Sequence, residues 1–260
     1  APQVASAIIS DNIVYSCVGR GIFIEDYSTD VRITNNEVYS NDIGIALNYT
    51  DNTVISGNNL RLNGTAIETG ASKQVVILGN TVRGNTSTGI TITGDQTVVI
   101  SNIVSNNAGN GILTGATVTG FVIAGNRCFD DRTPKIQQYG VNLSNNPTNG
   151  IVQGNSVQGN LTDGIFPSGG AGVIIRDNLG YVTENSGTGT INSGATSAAI
   201  THGLSYTPVR ADITVTLGEN PTNTPGAIWV DTITSTQFTV NCENDPGASN
   251  LDFSWAVRKI

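Results

Sequence analysis

Apolar and polar positions alternate over a short, recurring unit along residues 5 to 185. A run of about three apolar residues leads into a Gly–Asn corner. A Val-like residue follows two positions after that Asn, a second corner residue five after it, and a Gly–Ile step eight or nine after it. Indexed on its first Asn, the unit recurs at Asn12, Asn36, Asn58, Asn80, Asn102, Asn126, Asn155 and Asn178, with spacings of 24, 22, 22, 22, 24, 29 and 23 residues. The Val-like position holds Val14, Val38, Leu60, Val82, Val104, Cys128 and Val157. The second corner holds Cys17, Asn41, Asn63, Asn85, Asn107, Asp131 and Asn160. No helical period runs through the unit, and it has no leucine consensus. Three short runs between Gly/Asn corners predict three strands per repeat. A coil that closes every 22 or so residues is predicted to be a parallel β-helix of about eight rungs. Its corner amides are expected to stack along the axis as side-chain ladders. Gly57, Gly79, Gly125 and Gly154 precede an index Asn, where a positive φ is expected.

Alternation assigns side chains to faces. In the strand before each index Asn, the outer positions are read as Val54, Val76, Val99, Val122, Ile151 and Ile174. Strands apolar on both faces are normally covered on both. A second chain or the C-terminal segment is expected over this stripe, and three chains around a common axis is the preferred arrangement. A second outward ladder lies three residues after each index Asn: Tyr15, Tyr39, Arg61, Arg83, Ser105, Phe129, Gln158 and Tyr181. Aromatic rings and guanidinium groups are what sugar rings stack on and bond to. Tyr39, Arg61, Arg83 and Phe129 are therefore the candidate substrate-binding residues; an ordinary exposed strand is the alternative.

The repeat decays after Tyr181. Residues 1–185 are read as the β-helix, 186–197 as a Gly/Ser/Thr-rich linker, and 198–260 as a second domain. That domain shows strand-like runs separated by turns at 201–204, 219–223 and 244–247, which predict a small antiparallel β-sandwich. The fold class is all-β throughout.

Composition narrows the partners. Charged residues are only 12% and the net charge is −8, with the basic residues scattered, so no stripe for nucleic acid is present. The surface is instead expected to be rich in neutral amides and hydroxyls. No apolar run reaches the ~20 residues of a membrane-spanning helix, and no signal-peptide pattern opens the sequence. The chain has no Met, so Ala1 is expected to be the start of a trimmed or processed product. Cys17 and Cys128 fall on rungs too far apart to be bridged, and the three Cys are read as small buried apolar residues.

The longest rung, 126 to 155, carries an insertion, Phe129-Asp130-Asp131-Arg132-Thr133-Pro134-Lys135, the densest charge cluster of the β-helix. Loops on a rigid scaffold often carry sites. Asp130, Asp131, Arg132 and Lys135 are the candidate catalytic residues, and a solvated structural loop is the alternative. Glu25, Asp26 and Asp30 offer a weak calcium site, with no other cofactor indicated.

The repeat resembles the right-handed β-helix family that includes pectate lyases, polygalacturonases, alginate epimerases and phage tailspikes. That resemblance implies fold more than function. Glycosidases of this kind use paired carboxylates, and the lyases use Asp-bound calcium with an Arg or Lys base. This β-helix has no His and lacks the Gly-His-Gly and Asp-Pro-His motifs of the polygalacturonases and epimerases. In the C-terminal region, Thr201-His202-Gly203-Leu204, Trp229-Val230, Ile233 to Val240 and Phe253-Ser254-Trp255 resemble an assembly or interaction module of phage tail and surface proteins. Together these imply an extracellular or virion-associated homotrimer engaging a polysaccharide or cell-surface glycan. A polysaccharide-degrading lyase or glycosidase and a purely structural fibre shaft are the other readings.

Overall fold

The corner before each index Asn sets the coil. It requires a left-handed residue. Gly57, Gly79, Gly125 and Gly154 supply it with φ of 62° to 66°, while Asp11, Asn35, Ser101 and Asp177 adopt 54° to 60° at the equivalent place. Glycine does this without a Cβ penalty, and Asn and Asp tolerate it better than most residues. The chain then turns into the next strand, and the index Asn faces inward.

Residues 5–115, 117–167, 170–218 and 221–259 are described by the computed structural model. Ala1, and Glu219 and Asn220 of the expected turn at 219–223, lie outside them. The described residues fall into two units, 1–181 and 182–260.

The first unit is a parallel β-helix with three sheets. The first sheet has eight strands, from Ala5–Ser10 to Ile174–Arg176; the second has six, from Ile13–Tyr15 to Arg127–Phe129; the third has seven, from Arg20–Ile24 to Asp163–Phe166. The eight strands of the first sheet are joined by about seven turns of the coil. The interior is a column of apolar side chains, including Ile55, Leu60, Ile67, Ile77, Val82 and Ile90, all fully buried. No disulfide staples it: Cys17, Cys128 and Cys242 are free, and burial pushes the Cys128 thiol up to about 12.

Two side-chain ladders run through this interior. Asn80 shows the pattern. Its Nδ2 donates to Asn102 Oδ1 at 3.0 Å and to the carbonyls of Ile55 at 2.9 Å and Leu78 at 3.2 Å. Its own Oδ1 accepts from the backbone N–H and the Nδ2 of Asn58, at 2.9 and 3.0 Å. The second ladder runs Asn41, Asn63, Asn85, Asn107. A buried amide is costly unless paired, and here each one locks its rung to the next.

Strand register corrects one face assignment. Val76 pairs with Val98 and Ile77 with Val99, so Val98 stands on the outer stripe and Val99 is fully buried. The outer column of the first sheet is thus Val54, Val76, Val98, Val122, Ile151 and Ile174. These side chains are half-buried to exposed, Ile174 at 49%. A second outward column beside it adds Leu78, Ile100 and Ala124.

The second unit holds two three-stranded antiparallel sheets. Strands Glu184–Ile191, Leu251–Arg258 and Ile213–Leu217 form one, and Ser197–Thr201, Gln237–Cys242 and Ile228–Asp231 form the other. Phe238, Phe253, Leu251 and Val240 fill the core between them. The segment expected as a linker is therefore mostly strand: Glu184–Ile191 pairs along its whole length with Leu251–Arg258. Its glycines mislead a composition-based reading. Gly187 and Gly189 lie against the rings of Trp255 and Phe253, where a Cβ would come within 3.0 and 2.5 Å.

Candidate functional site

The insertion in the longest rung closes on itself. Asp130 is 1% exposed. Its Oδ1 accepts from the backbone N–H of Arg132 at 3.0 Å and from Arg132 Nε at 2.9 Å. Its Oδ2 accepts from the terminal Arg132 nitrogen and the backbone N–H groups of Ile136 and Gln137, each at 2.7 Å. Burial alone would raise this carboxyl. The Arg132 guanidinium and the three amides more than reverse that and hold it well below the usual carboxylate range. A carboxylate so enclosed is ionised at neutral pH and has no proton to give a leaving group.

The other loop residues are also engaged. The Arg132 guanidinium reaches the Asn107 carbonyl at 3.1 Å. Lys135 Nζ donates to the Asp130 carbonyl and, at 2.6 Å, to the Gly159 carbonyl one rung on. Asp131 is exposed and exchanges two hydrogen bonds with Asn106, at 2.7 and 3.1 Å. It does not hold the second corner, where spacing put it. Gln137 does, because the chain makes its loop before returning to the ladder. Asn107 donates to Gln137 Oε1 through both its backbone N–H and its Nδ2, each at 3.1 Å, and Gln137 Nε2 donates to Asn160 at 2.8 Å.

The outward face of the second sheet brings the other candidates together. Register places Tyr15, Tyr39, Arg61, Arg83, Ser105 and Phe129 in one column. The rings of Tyr15 and Tyr39 stack at 5.1 Å with 4° between their planes, and the Arg61 guanidinium lies 4.2 Å from the Tyr39 centroid. Both faces of Tyr39 are therefore occupied, and the ring offers its edge and hydroxyl outward. Arg61 also pairs with Glu37 at 2.8 Å. Arg83, next in the column, is exposed and has no ion-pair partner among the described residues. Phe129 carries the Arg127 guanidinium on one face at 4.3 Å, and Ser105 between Arg83 and Phe129 is buried. The column is thus continuous from Tyr15 to Arg83, and Phe129 stands apart from it.

A neighbouring outward column holds Glu37, Asn59, Thr81, Ile103 and Arg127. Glu37 and Arg127 contact the candidate residues, yet single-column reading missed them. They lie one residue after an index Asn, and alternation makes that position face the same way as the position three after. Tyr181 leaves the predicted ladder altogether. It is 2% exposed and caps the core, and burial, with Asp163 adding its charge, pushes its phenol up to about 12.

Among the described residues, no three His, Cys, Asp or Glu side chains converge on a point that would hold a metal ion. Glu25, Asp26 and Asp30, the weak calcium candidates, are all exposed. His202 is fully buried in the second unit; its Nδ1 accepts from the Leu204 N–H at 3.1 Å and its Nε2 donates to the Thr234 carbonyl at 3.1 Å. It holds a turn.

Residues 2–128 match the family described as "Right handed beta helix region". No curated protein matches the sequence. Solved structures that share the fold include the following three. ORF18 of Geobacillus virus E2 aligns at 13% identity and a TM-score of 0.59, over 98% of this chain and 55% of that one. The Dettilon tailspike protein gp208 aligns at 15% identity and 0.55, over 96% and 73%. A mutant tailspike protein of E. coli bacteriophage HK620, in complex with a hexasaccharide, aligns at 10% identity and 0.50, over 99% and 56%. The chain spans little more than half the length of two of these proteins. At such identities the likeness is one of fold. The chain is a right-handed parallel β-helix followed by a small antiparallel unit, and its fold neighbours include phage tailspikes.

Proposed function

We propose that this chain is a carbohydrate-engaging part of a trimeric, tailspike-like fibre, virion-associated or extracellular. The observation that carries the reading is the column Tyr15–Tyr39–Arg61–Arg83. It gives four successive rungs an outward row of phenol edges and guanidinium groups, flanked by Glu37, Asn59 and Thr81. A glycan laid along it meets donors and acceptors at the rung spacing of ~4.8 Å. The self-stacked rings make this an edge-on, hydrogen-bonding surface rather than a set of free stacking platforms. Phe129 would extend it from the far side of Ser105.

The tailspike neighbours, one of them solved with a hexasaccharide, support the reading by fold alone. The apolar outer column from Val54 to Ile174 supports the assembly, since a uniformly apolar strip of this length calls for a partner. Asp130, Arg132 and Lys135 are assigned to holding the loop, with Asp131 its exposed edge. A glycan array probed with the intact chain tests the function. Binding that falls when Arg61 and Arg83 are both changed to Ala supports it. Binding unaffected by those changes removes this face from the account.

A further inference from the structure

Trp229 is the exposed aromatic of the second unit, at 44%, whereas the chain's other Trp, Trp255, is 7% exposed and meets Phe238 edge-on in the core. Trp229 lies on the edge strand Ile228–Asp231, on the face turned away from that core. Its indole is hydrogen-bonded back to its own strand. Nε1 donates to Asp231 Oδ2 at 3.2 Å, and the other oxygen of Asp231 accepts from Thr232 Oγ1 at 3.0 Å. Thr232 adopts a φ of 46°, a left-handed conformation unusual for a β-branched residue. The Asn241 side-chain amide, then the Thr232 hydroxyl, then the indole N–H hold Asp231 below the usual carboxylate range, with Arg210 adding a smaller effect and the modest burial opposing it.

Register defines what surrounds the ring. Trp229 pairs with Asn241, which pairs with Ser197; Asp231 pairs with Thr239, which pairs with Ala199. The sheet surface beside the indole is therefore small and mostly polar, with one carboxylate; the cation that acts on it, Arg210, is the least of the influences on Asp231. A protein hot spot wants an apolar surround that excludes water, and phosphate wants cations. A sugar ring wants a flat aromatic face bordered by hydroxyls and amides. An indole already hydrogen-bonded to its strand also has less to order on binding.

We infer that the outward face of strand Ile228–Asp231 is a second sugar-binding site, in which Trp229 stacks on one ring of a neutral hexopyranose chain and Asp231, Asn241 and Thr239 meet its hydroxyls. This goes beyond the site on the β-helix and does not depend on it.

The test is calorimetric titration of the full chain with maltohexaose, cellohexaose, mannohexaose and galactohexaose. At least one of these is expected to bind saturably. Trp229→Ala is expected to weaken that binding about tenfold or more, and Trp229→Phe less. Arg61→Ala with Arg83→Ala is expected to leave this component unchanged, which separates the two sites. A second measurement leaves Trp229 intact: in a Trp255→Phe chain its emission is expected to shift saturably with the same sugar. No saturable binding of any of the four, or equal binding by the Trp229→Ala chain, overturns the inference. A Trp229→Ala chain whose solution mass falls while sugar binding persists makes the face a subunit contact instead.

Discussion

Gln137 accepts both the backbone N–H and the side-chain amide of Asn107, at 3.1 Å each, across 30 residues of chain. It takes the ladder position that Asn fills on the preceding rungs, and passes the ladder on to Asn160 at 2.8 Å. The interior pattern therefore survives the insertion. Gln137→Ala leaves the buried Asn107 without its acceptor and the half-buried Asn160 without its donor. It is expected to lower stability by about 2–4 kcal/mol, read as a lower urea midpoint. Gln137→Asn, one methylene shorter, is expected to fall between the two.

Asp130 predicts an acid-dependent step. Its folded-state pKa is depressed below the ordinary 3.8. A depressed carboxyl binds fewer protons in the folded chain than in the unfolded one, so its contribution is complete above the unfolded value and is lost as pH falls towards the folded one. The stability gap between the wild type and Asp130→Asn is expected to be constant above about pH 5 and to shrink from there towards pH 2. Urea melts of both chains across that range measure it. A gap independent of pH would mean that the loop does not depend on the ionised carboxylate.

The Asn ladder predicts a graded response. Asn80→Ala strands the Asn58 amide and the Ile55 carbonyl inside the coil. Stability is expected to fall by about 2–4 kcal/mol. Asn80→Asp keeps the acceptors but turns a carboxylate towards the Ile55 and Leu78 carbonyls, which raises its pKa. It is expected to cost more at pH 7 than at pH 5. Parallel denaturant melts at the two values separate the substitutions.

Much of the fold was legible because the coil repeats. Asn36, Asn58 and Asn80 recur at a fixed offset from apolar runs, and only an interior corner gives an amide that regularity. The left-handed glycines at 57, 79, 125 and 154 were legible for the same reason. What escaped was local. The Val98/Val99 face was set by the repeat but misassigned: Val54 and Val76 stand four residues before Asn58 and Asn80, and the same offset from Asn102 gives Val98, as its pairing with Val76 shows. Asp131 stood at the expected corner offset, but only the loop's path shows that Gln137 reaches it. The Glu184–Ile191 strand reads as a linker because its glycines make room for Phe253 and Trp255. For the outward site, the column of Tyr39, Arg61 and Arg83 followed from spacing, but the stack of Tyr15 on Tyr39 beneath Arg61 is a matter of rotamers.

The Val98/Val99 pair makes an informative contrast. Val99→Asp buries a carboxylate in the apolar column and is expected to prevent folding or to cost over 4 kcal/mol, a magnitude typical of unpaired core charges. Val98→Asp places the same charge on the outer stripe. It is expected to leave circular dichroism and the monomer fold intact while dissociating the proposed trimer. Far-ultraviolet spectra with sedimentation analysis of both variants check this.

The solution mass tests the fibre reading most directly. Static light scattering of the intact chain is predicted to give three times 27.0 kDa, falling to 27.0 kDa in the Val98→Asp variant. A wild-type mass of 27.0 kDa at micromolar concentration would contradict the trimer and leave the apolar face of the first sheet without its proposed partner.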